Sequence, residues 1–268
     1  MRLRQALLGG FAGLAVAGLV ASEGSPQTIP VDLELVLAVD VSRSMDVDEQ
    51  ELQRQGYLEA ITAPEVVRAI RSGAYGRIAL TYVEWAGPAH QTVVVPWRLV
   101  EDARSAEAFA AELAEAPLTR ERWTSISSGL LFAAGLFEQS PYSGLRKVID
   151  VSGDGPNNIG PPVEPARDAV LARDIVINGL PIMLKEPNPA FGSIAQLDVY
   201  YEDCVVGGPG SFVIPVKDAQ EFAPAIRQKL VLEVAGRTPV LVPAALRPTG
   251  GRTDCLLGER LRMQWYDR

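Results

Sequence analysis

Strand-like and helix-like segments alternate along most of this chain, and this alternation limits the folds that it can adopt. Residues 31–39 form a largely apolar run, as expected of a strand that is buried on both faces. Similar short runs at 147–151 and 175–180 are separated by segments whose apolar residues have helical spacing. Two further strand-like runs, at 77–85 and 91–99, are joined by a link too short for a crossover helix, which predicts an antiparallel hairpin.

This pattern predicts an α/β fold built on a doubly wound, Rossmann-like sheet. We expect about six strands, mostly parallel, with one antiparallel edge strand and helices on both faces. The domain should span residues 31–234, with a last short strand at 212–215 and a closing helix at 219–233. Residues 235–268 are rich in proline, glycine and arginine, and we expect them to form an irregular tail.

The first 22 residues are not expected to belong to this domain. Two arginines precede an uncharged apolar run at 6–20, and small residues at 20–22 suit a signal peptidase. Because the run is too short for a comfortable membrane span, we predict a cleaved signal peptide over residues 1–22. The mature protein would then be periplasmic or secreted, without stable membrane insertion. A retained N-terminal anchor is the alternative.

Charge and cysteine content narrow the classes of partner and the cellular compartment. Removing residues 1–22 takes away two arginines and no acids, which changes the formal net charge from −8 to −10. Such a surface repels phosphate backbones, so nucleic acid is not an expected partner. The two cysteines, Cys204 and Cys255, would lie in an oxidising compartment, where a disulfide between the tail and the domain is expected. Two separate buried thiols are the alternative.

Oxygen-bearing side chains follow two of the predicted buried strands. Asp40, Ser42 and Ser44 come at the end of the first, and Asp154 follows the strand at 147–151. Thr124 precedes the helix that leads into that second strand. Because ligands of such sheets gather beyond the carboxyl ends of the strands, we expect these five residues to lie together. Two carboxylates and three hydroxyls form a hard oxygen set suited to a magnesium-like cation.

In order and placement, these five residues resemble the metal-ion-dependent adhesion site (MIDAS) of von Willebrand factor type A (vWA) domains. The resemblance covers roughly residues 31–234. The runs at 82–87 and 207–210 are also similar to those of exported bacterial vWA-like proteins with no assigned function.

The resemblance implies how the site would work. Ser42 and Ser44 would bind Mg²⁺ directly, Asp40 and Asp154 directly or through water, and Thr124 according to the state of the site. Mn²⁺ or Ca²⁺ would suit the same ligands. One coordination position would remain open for an Asp or Glu carboxylate of a protein partner. The predicted function is therefore an exported adhesion-type module that captures this carboxylate.

Each site residue also has a purely structural interpretation. Asp40, Ser42 and Ser44 could cap the following turn and helix, and Thr124 could be the N-cap of its helix. Asp154 begins an Asp-Gly turn dipeptide. Two further residues are candidates for a supporting or partner-facing role: Glu84, at a strand end on the same rim, and Asn157, in the loop after Asp154.

Enzyme mechanisms find little support in the sequence. His90 is the only histidine, which excludes sites with several histidines, and no Gly-x-Ser-x-Gly motif is present for a serine hydrolase. We therefore predict that the chain is not an enzyme. Two alternatives stay open: a metal-assisted hydrolase of phosphate or ester substrates, and a structural scaffold whose cation only holds loops together.

Overall fold

A computed structural model describes residues 28–187, 193–236 and 252–266. The predicted signal peptide and residues 237–251 of the predicted tail lie outside the described residues. The strands are β1 (Ile29–Val31), β2 (Leu33–Asp40), β3 (Ile78–Trp85), β4 (Gln91–Val100), β5 (Tyr142–Gly144), β6 (Lys147–Gly153) and β7 (Ile175–Pro181). The helices are α1 (Val47–Thr62), α2 (Pro64–Arg71), α3 (Ala103–Glu115), α4 (Ile126–Leu136), α5 (Val163–Leu171), α6 (Leu197–Tyr200), α7 (Phe222–Ala235) and α8 (Leu257–Tyr266).

Five strands form the main sheet, in the order β4, β3, β2, β6, β7. All neighbours are parallel except β3 and β4, which pair antiparallel at one edge. The predicted mostly parallel α/β sheet with an antiparallel edge strand is therefore confirmed. The predicted strand at 212–215 is reduced to isolated bridges, from Val213 to Gly179 and from Val216 to Ile182. Strands β1 and β5 form a separate two-stranded sheet.

Strand β2 is buried along its whole length because helices cover both faces of the sheet. Successive side chains of a strand point to opposite faces. Accordingly, Leu33, Leu35 and Leu37 pack in one cluster with residues of α1, α2, α3 and α7. Val36 and Ala38 pack in a second cluster with residues of α4 and α5. The apolar run in the sequence thus reflects a central strand, and it fixes the position of Asp40 at the end of that strand.

A charged cluster is buried between the sheet and α7. The Nζ atom of Lys229 lies 2.8 Å from Asp150 Oδ1 of β6 and 2.5 Å from Glu233 Oε1, one turn further along α7. The Nδ2 atom of Asn178 on β7 also donates to Glu233 Oε1, at 2.9 Å. All three charged side chains are at most 1% exposed. Two carboxyl groups therefore share one ammonium group away from water.

This arrangement predicts a specific pH dependence of stability. Burial and the nearby Glu233 raise the pKa of Asp150 from 3.8 to about 7, although Lys229 acts in the opposite direction. Between these two pH values the unfolded chain has lost the proton and the folded protein retains it, so a rising pH favours unfolding. An asparagine at position 150 imitates the protonated Asp150, because its side chain is neutral and has nearly the same shape. Asn178 donates to Glu233, so this bond does not involve the substituted side chain.

The quantity to compare is the free energy of unfolding of Asp150→Asn minus that of the wild type. We expect this difference to be more than about 1 kcal/mol larger at about pH 7.5 than at about pH 4.5, because only the wild type loses stability as the pH rises. Urea denaturation at both pH values measures this difference. Asp168→Asn, at a side chain that is 63% exposed, is the control for the loss of one carboxyl group. A constant difference between Asp150→Asn and the wild type at the two pH values would contradict the prediction.

None of the helices within the described ranges combines the length and the apolar character that a membrane span requires.

Candidate metal centre

Three loops meet at the carboxyl ends of β2 and β6. Asp40 is the last residue of β2, Ser42 and Ser44 lie in the loop that follows, and Asp154 comes directly after β6. Since β2 and β6 are neighbours in parallel register, these loops leave the same edge of the sheet. Thr124 lies in the segment that precedes α4, and this segment docks against the loop after β2 through a hydrogen bond from Glu121 N–H to the Val41 carbonyl, 2.9 Å.

Four of the five predicted ligands are joined by short hydrogen bonds. The Ser42 backbone N–H donates to Asp40 Oδ1 at 2.7 Å. The hydroxyl oxygens of Ser42 and Ser44 are 2.8 Å apart, and the Ser44 hydroxyl donates to Asp154 Oδ1 at 2.6 Å. The structure thus brings together two carboxylates and two hydroxyls that are up to 114 positions apart in the sequence.

Neither carboxyl group forms an ion pair with a described residue. Asp40 is fully buried, and its Oδ2 atom has no hydrogen-bond partner. Burial, together with the nearby Asp154, raises the pKa of Asp40 well above its ordinary value. Burial also raises the pKa of Asp154 to about 7, and Glu49 adds to this shift while Ser44 and Lys185 oppose it. A buried carboxylate without a partner is unfavourable, and either a proton or a bound cation would reduce this cost.

The chemistry of the donor set fits a hard cation that accepts hydroxyl ligands. Within the described part of the chain, no three His, Cys, Asp or Glu side chains are grouped so that they could hold a metal ion. A cation at this site would therefore need Ser42 and Ser44 in addition to the two carboxylates. Oxygen ligands of this kind suit Mg²⁺, which keeps several of its waters and needs few protein ligands.

Thr124 is buried and lies on the wall of a cleft beside Ser42 and Ser44. Its N–H donates to Asn158 Oδ1 at 3.0 Å, and its carbonyl accepts from Asn158 N–H at 2.8 Å. With Ser42 and Ser44 it lines a cleft of about 270 Å³. The N-cap of α4 is Ser125, whose side chain accepts from the Ser128 N–H. The structure therefore does not support the alternative that Thr124 is the N-cap of α4.

Glu84 does not face a partner, contrary to one of the predictions. It is 1% exposed, and its Oε1 atom lies 2.5 Å from a guanidinium nitrogen of Arg54 in α1. Its other oxygen accepts from the Thr119 hydroxyl at 2.5 Å. The Arg54 side chain also donates to the carbonyls of Leu113 and Ala116. Glu84 therefore joins β3 to α1 and to the end of α3.

Asn157 is also buried, so a partner-facing role is excluded. Its Oδ1 atom accepts from the backbone N–H and the hydroxyl of Ser127, both at 3.1 Å. Its Nδ2 atom donates to the Pro161 carbonyl at 3.1 Å and to Glu259 Oε1 at 2.7 Å. Asn157 therefore supports the first turn of α4, three residues after Thr124, and not the Asp154 carboxylate directly.

Tyr201 is a neighbour of the site that the sequence analysis missed. A Cβ atom at Gly153 would lie 2.9 Å from Asp40 Oδ2 and 2.9 Å from the Tyr201 hydroxyl, so these two oxygens flank the same backbone position. The Tyr201 hydroxyl is buried without a hydrogen-bond partner. Burial, followed by Asp40 and Asp154, raises its pKa well above 10. A tyrosine in a helical segment at 201–205 carries no sequence signal for this placement.

His90 is not paired with either serine. Its Nε2 atom is buried and has no hydrogen-bond partner, whereas the Ser42 and Ser44 hydroxyls are bonded to each other and to Asp154. A serine nucleophile activated by this histidine therefore finds no support in the geometry.

The C-terminal segment packs against the loops of the site. The predicted disulfide between Cys204 and Cys255 is present, and residues 257–266 form helix α8, so the expectation of an irregular tail does not hold there. A Cβ atom at Gly258 would collide with the Asn157 carbonyl oxygen, so α8 approaches that loop very closely. The Arg262 guanidinium lies 5.4 Å from the centre of the Trp123 ring, next to Thr124.

Removing this disulfide should destabilise the protein. The bridge closes a loop with a sequence separation of 51, for which the chain-entropy model gives about 4 kcal/mol. We expect the double variant Cys204→Ser/Cys255→Ser to lose about 2 to 5 kcal/mol in the free energy of unfolding, measured by urea denaturation. Wild-type protein treated with dithiothreitol should behave like the variant. Equal denaturation midpoints for the oxidised wild type and the variant would contradict the prediction.

Several solved structures share this fold. Proximal thread matrix protein 1 from the mussel byssus aligns with 78% of this chain and 48% of its own, at 13% identity and a TM-score of 0.57. The pilus adhesin SpaC from Lactobacillus rhamnosus GG, in its open conformation, aligns with 79% of this chain and 31% of its own, at 13% identity and a TM-score of 0.56.

A von Willebrand factor type A protein from Catenulispora acidiphila aligns with 76% of this chain and 43% of its own, at 16% identity and a TM-score of 0.51. This chain therefore spans half or less of the length of each of these proteins. At such identities the similarity shows the vWA-like fold alone.

Comparison at the sequence level gives two results. No curated protein matches the chain. Residues 30–238 match the family described as "Protein of unknown function (DUF1194)", and the chain therefore belongs to that family.

Proposed function

We propose that this chain is an exported protein-binding module that captures an acidic side chain of a partner protein through a bound divalent cation. Asp40, Ser42, Ser44, Thr124 and Asp154 would hold the cation, with Mg²⁺ as the preferred ion. The proposal makes the chain a binding protein and not an enzyme.

The observation that carries the proposal is the unpartnered Oδ2 atom of Asp40 beside the hydrogen-bonded Ser42, Ser44 and Asp154 side chains. A buried acceptor of this kind is rare unless something outside the protein satisfies it. A divalent cation would do so, and it would also offset the mutual repulsion of the two carboxylates. Simple helix capping explains the Ser42 N–H bond to Asp40 Oδ1, but it leaves Oδ2 without a role.

The bound cation would supply an electrophilic centre that attracts an additional carboxylate oxygen. The protein's own residues determine how strongly it does so. With two neutral hydroxyls and only two anionic groups around a doubly charged ion, the ligand charges balance the cation without exceeding it. Further acidic protein ligands would weaken its attraction for a partner, and none of the side chains that line the cleft beside Ser42, Ser44 and Thr124 is acidic.

The structural neighbours support this direction. One structure of the mussel matrix protein is described as having a zinc-occupied MIDAS motif, at 15% identity and a TM-score of 0.53, and the second neighbour is a pilus adhesin.

Export is supported by the predicted signal peptide and by the Cys204–Cys255 disulfide, since such bridges persist in oxidising compartments. We therefore place the mature protein in the periplasm or outside the cell.

The proposal is tested by capturing proteins from an envelope extract on the immobilised chain, in Mg²⁺ and in EDTA. We expect one set of partners to be retained in Mg²⁺ only and to be lost with Ser42→Ala. Gln55→Ala, at a residue on the exposed face of α1, is the control for the substitution. Partners retained equally in EDTA would contradict the proposal.

The two alternatives predict different results. A metal-assisted hydrolase would turn over generic phosphate or carboxylic esters and lose this turnover with Ser42→Ala. A structural scaffold would show a large loss of thermal stability in EDTA and no partner that depends on Mg²⁺.

A further inference from the structure

We infer that the cleft recognises a partner segment with at least two acidic groups, one bound at the cation and a second held by Arg43 and Arg122. This inference rests on the proposed function, because it concerns the surroundings of the same cation site.

Arg43 and Arg122 lie on two adjacent segments that are bonded to each other at the rim of the cleft. Ser42 and Glu121 form an isolated parallel bridge, and the Glu121 N–H donates to the Val41 carbonyl at 2.9 Å. The two arginines each follow one member of the bridged pair, and both line the cleft of about 270 Å³. Their positions are therefore set by backbone pairing beside the cation ligands.

Neither arginine forms an ion pair with a described acidic side chain. Both are exposed, and neither forms a salt bridge or a side-chain hydrogen bond with another described residue. Arg98 and Arg227, by contrast, each pair with a glutamate. In a chain with a formal net charge of −8, acidic residues are available to neutralise surface arginines. Two neighbouring arginines without such partners repel each other, and a ligand that binds both would remove this cost.

A charge count of the cleft gives the chemistry of the ligand. A doubly charged cation balances the carboxylates of Asp40 and Asp154, which leaves two positive charges on the arginines. Arg120, whose guanidinium donates to the carbonyls of Arg43 and Met45 at 3.1 Å and 2.7 Å, and Glu121 lie nearby with opposite charges that offset each other. A ligand with a single carboxylate would leave one of the two positive charges uncompensated. One with two or more acidic groups would match both, and a guanidinium binds a carboxylate through two parallel hydrogen bonds.

Trp123, between Arg122 and Thr124, adds an apolar wall to the cleft. Its φ angle is 75°, which is unfavourable for a bulky residue, and such strain concentrates at functional sites. The ring is covered on one side by Arg262 of α8, 5.4 Å from its centre. A cleft of about 270 Å³ accommodates one or two amino-acid side chains, so a peptide segment fits it better than the consecutive sugar rings of a sulfated polysaccharide.

The inference is tested by NMR titration of the full chain with two acetylated, amidated tetrapeptides in Mg²⁺. One consists of four aspartates, and the other has one aspartate and three asparagines. The variant is Arg43→Ala/Arg122→Ala. Its control is Arg68→Ala/Arg71→Ala, which removes the same charge from two exposed arginines in the last turn of α2, at the end of the sheet where β3 begins.

We expect the wild type to bind tetra-aspartate at least about tenfold more tightly than the single-aspartate peptide. Arg43→Ala/Arg122→Ala should abolish this difference, leave the single-aspartate affinity and Mn²⁺ binding unchanged, and reduce the salt dependence of tetra-aspartate binding. The control variant should keep the difference. These results together would support the inference.

Three outcomes would overturn it. If Asp40→Asn abolishes binding of both peptides but the arginine variant keeps the wild-type difference, the inference fails and the proposed function stands. If both peptides bind equally well in EDTA, or neither binds in Mg²⁺, the proposed function fails and the inference fails with it. If heparin binds more tightly than tetra-aspartate through the same arginines and without a cation, the ligand is a sulfated polyanion and not an acidic peptide.

Discussion

Asp40→Asn should remove the stabilisation of the protein by Mg²⁺ while leaving its stability in EDTA at or above that of the wild type. The asparagine keeps the acceptor for the Ser42 N–H, which lies 2.7 Å from Asp40 Oδ1. It also removes a buried carboxyl group whose second oxygen has no partner. In the absence of a cation the substitution therefore relieves an unfavourable group.

Asp40→Asn should also weaken the binding of Mg²⁺, although it does not destabilise the cation-free protein. Loss of one of two anionic ligands should lower the affinity for Mg²⁺ by at least about 100-fold, since changes to supporting groups alone cost 10- to 100-fold. Thermal unfolding in Mg²⁺ and in EDTA measures both effects, because a ligand of the folded state stabilises in proportion to RT ln(1 + [L]/Kd).

The matched control is Asp168→Asn, at an exposed carboxyl group that pairs with Arg167 on α5. It should respond to Mg²⁺ like the wild type. An Asp40→Asn protein that Mg²⁺ stabilises as strongly as it stabilises the wild type would show that this carboxylate is not a ligand.

Lys229→Met should destabilise the protein by about 3 to 5 kcal/mol, the largest stability effect that we expect. The ammonium group lies 2.8 Å from Asp150 Oδ1 and 2.5 Å from Glu233 Oε1, and none of these side chains is more than 1% exposed. Methionine fills a similar volume but leaves two buried carboxyl groups without a counter-charge. Urea denaturation at neutral pH measures the loss.

Two comparisons separate the loss of charge from the loss of packing. Arg227→Met, on the same helix, removes an arginine that is 44% exposed and paired with Glu65, and should cost less than about 1 kcal/mol. Adding Asp150→Asn and Glu233→Gln to Lys229→Met should recover most of the loss, because the uncompensated carboxylates are then gone. A triple variant as unstable as Lys229→Met would show that packing dominates.

The elements that the sequence predicts well are those whose signal is local. The largely apolar run at 31–39 predicted a buried central strand, and β2 is buried along its whole length. The antiparallel hairpin followed from the short link between β3 and β4. The convergence of the loops after Asp40 and Asp154 followed from a general property of parallel sheets, whose strands end at a common edge.

The elements that it missed depend on partners far away in the chain. From the sequence, Glu84 cannot be distinguished from a carboxylate that faces a partner. Only the position of Arg54 on α1 shows that Glu84 forms an ion pair inside the protein. Likewise, Tyr201 reaches the site only because its helical segment packs over Gly153 and Gly179. No periodicity or spacing encodes such contacts.

The C-terminal segment shows a third kind of difficulty. A short helix with little apolar content is marginal by itself, so its sequence resembles an irregular tail. Helix α8 is instead held by tertiary contacts, through the disulfide at Cys255, the close approach of Gly258 to Asn157 and the hydrogen bond between Glu259 and Asn157. These contacts connect the tail to the loops of the candidate site.

The central claim is that these loops form one divalent cation site. Calorimetric titration of the metal-free protein with Mg²⁺, and with Mn²⁺ as a second ion, tests it most directly. We predict one bound ion per chain for the wild type and no measurable binding for Ser42→Ala/Ser44→Ala, with both proteins equally folded by circular dichroism. No binding by the wild type, or the same binding by the folded double variant, would contradict the account.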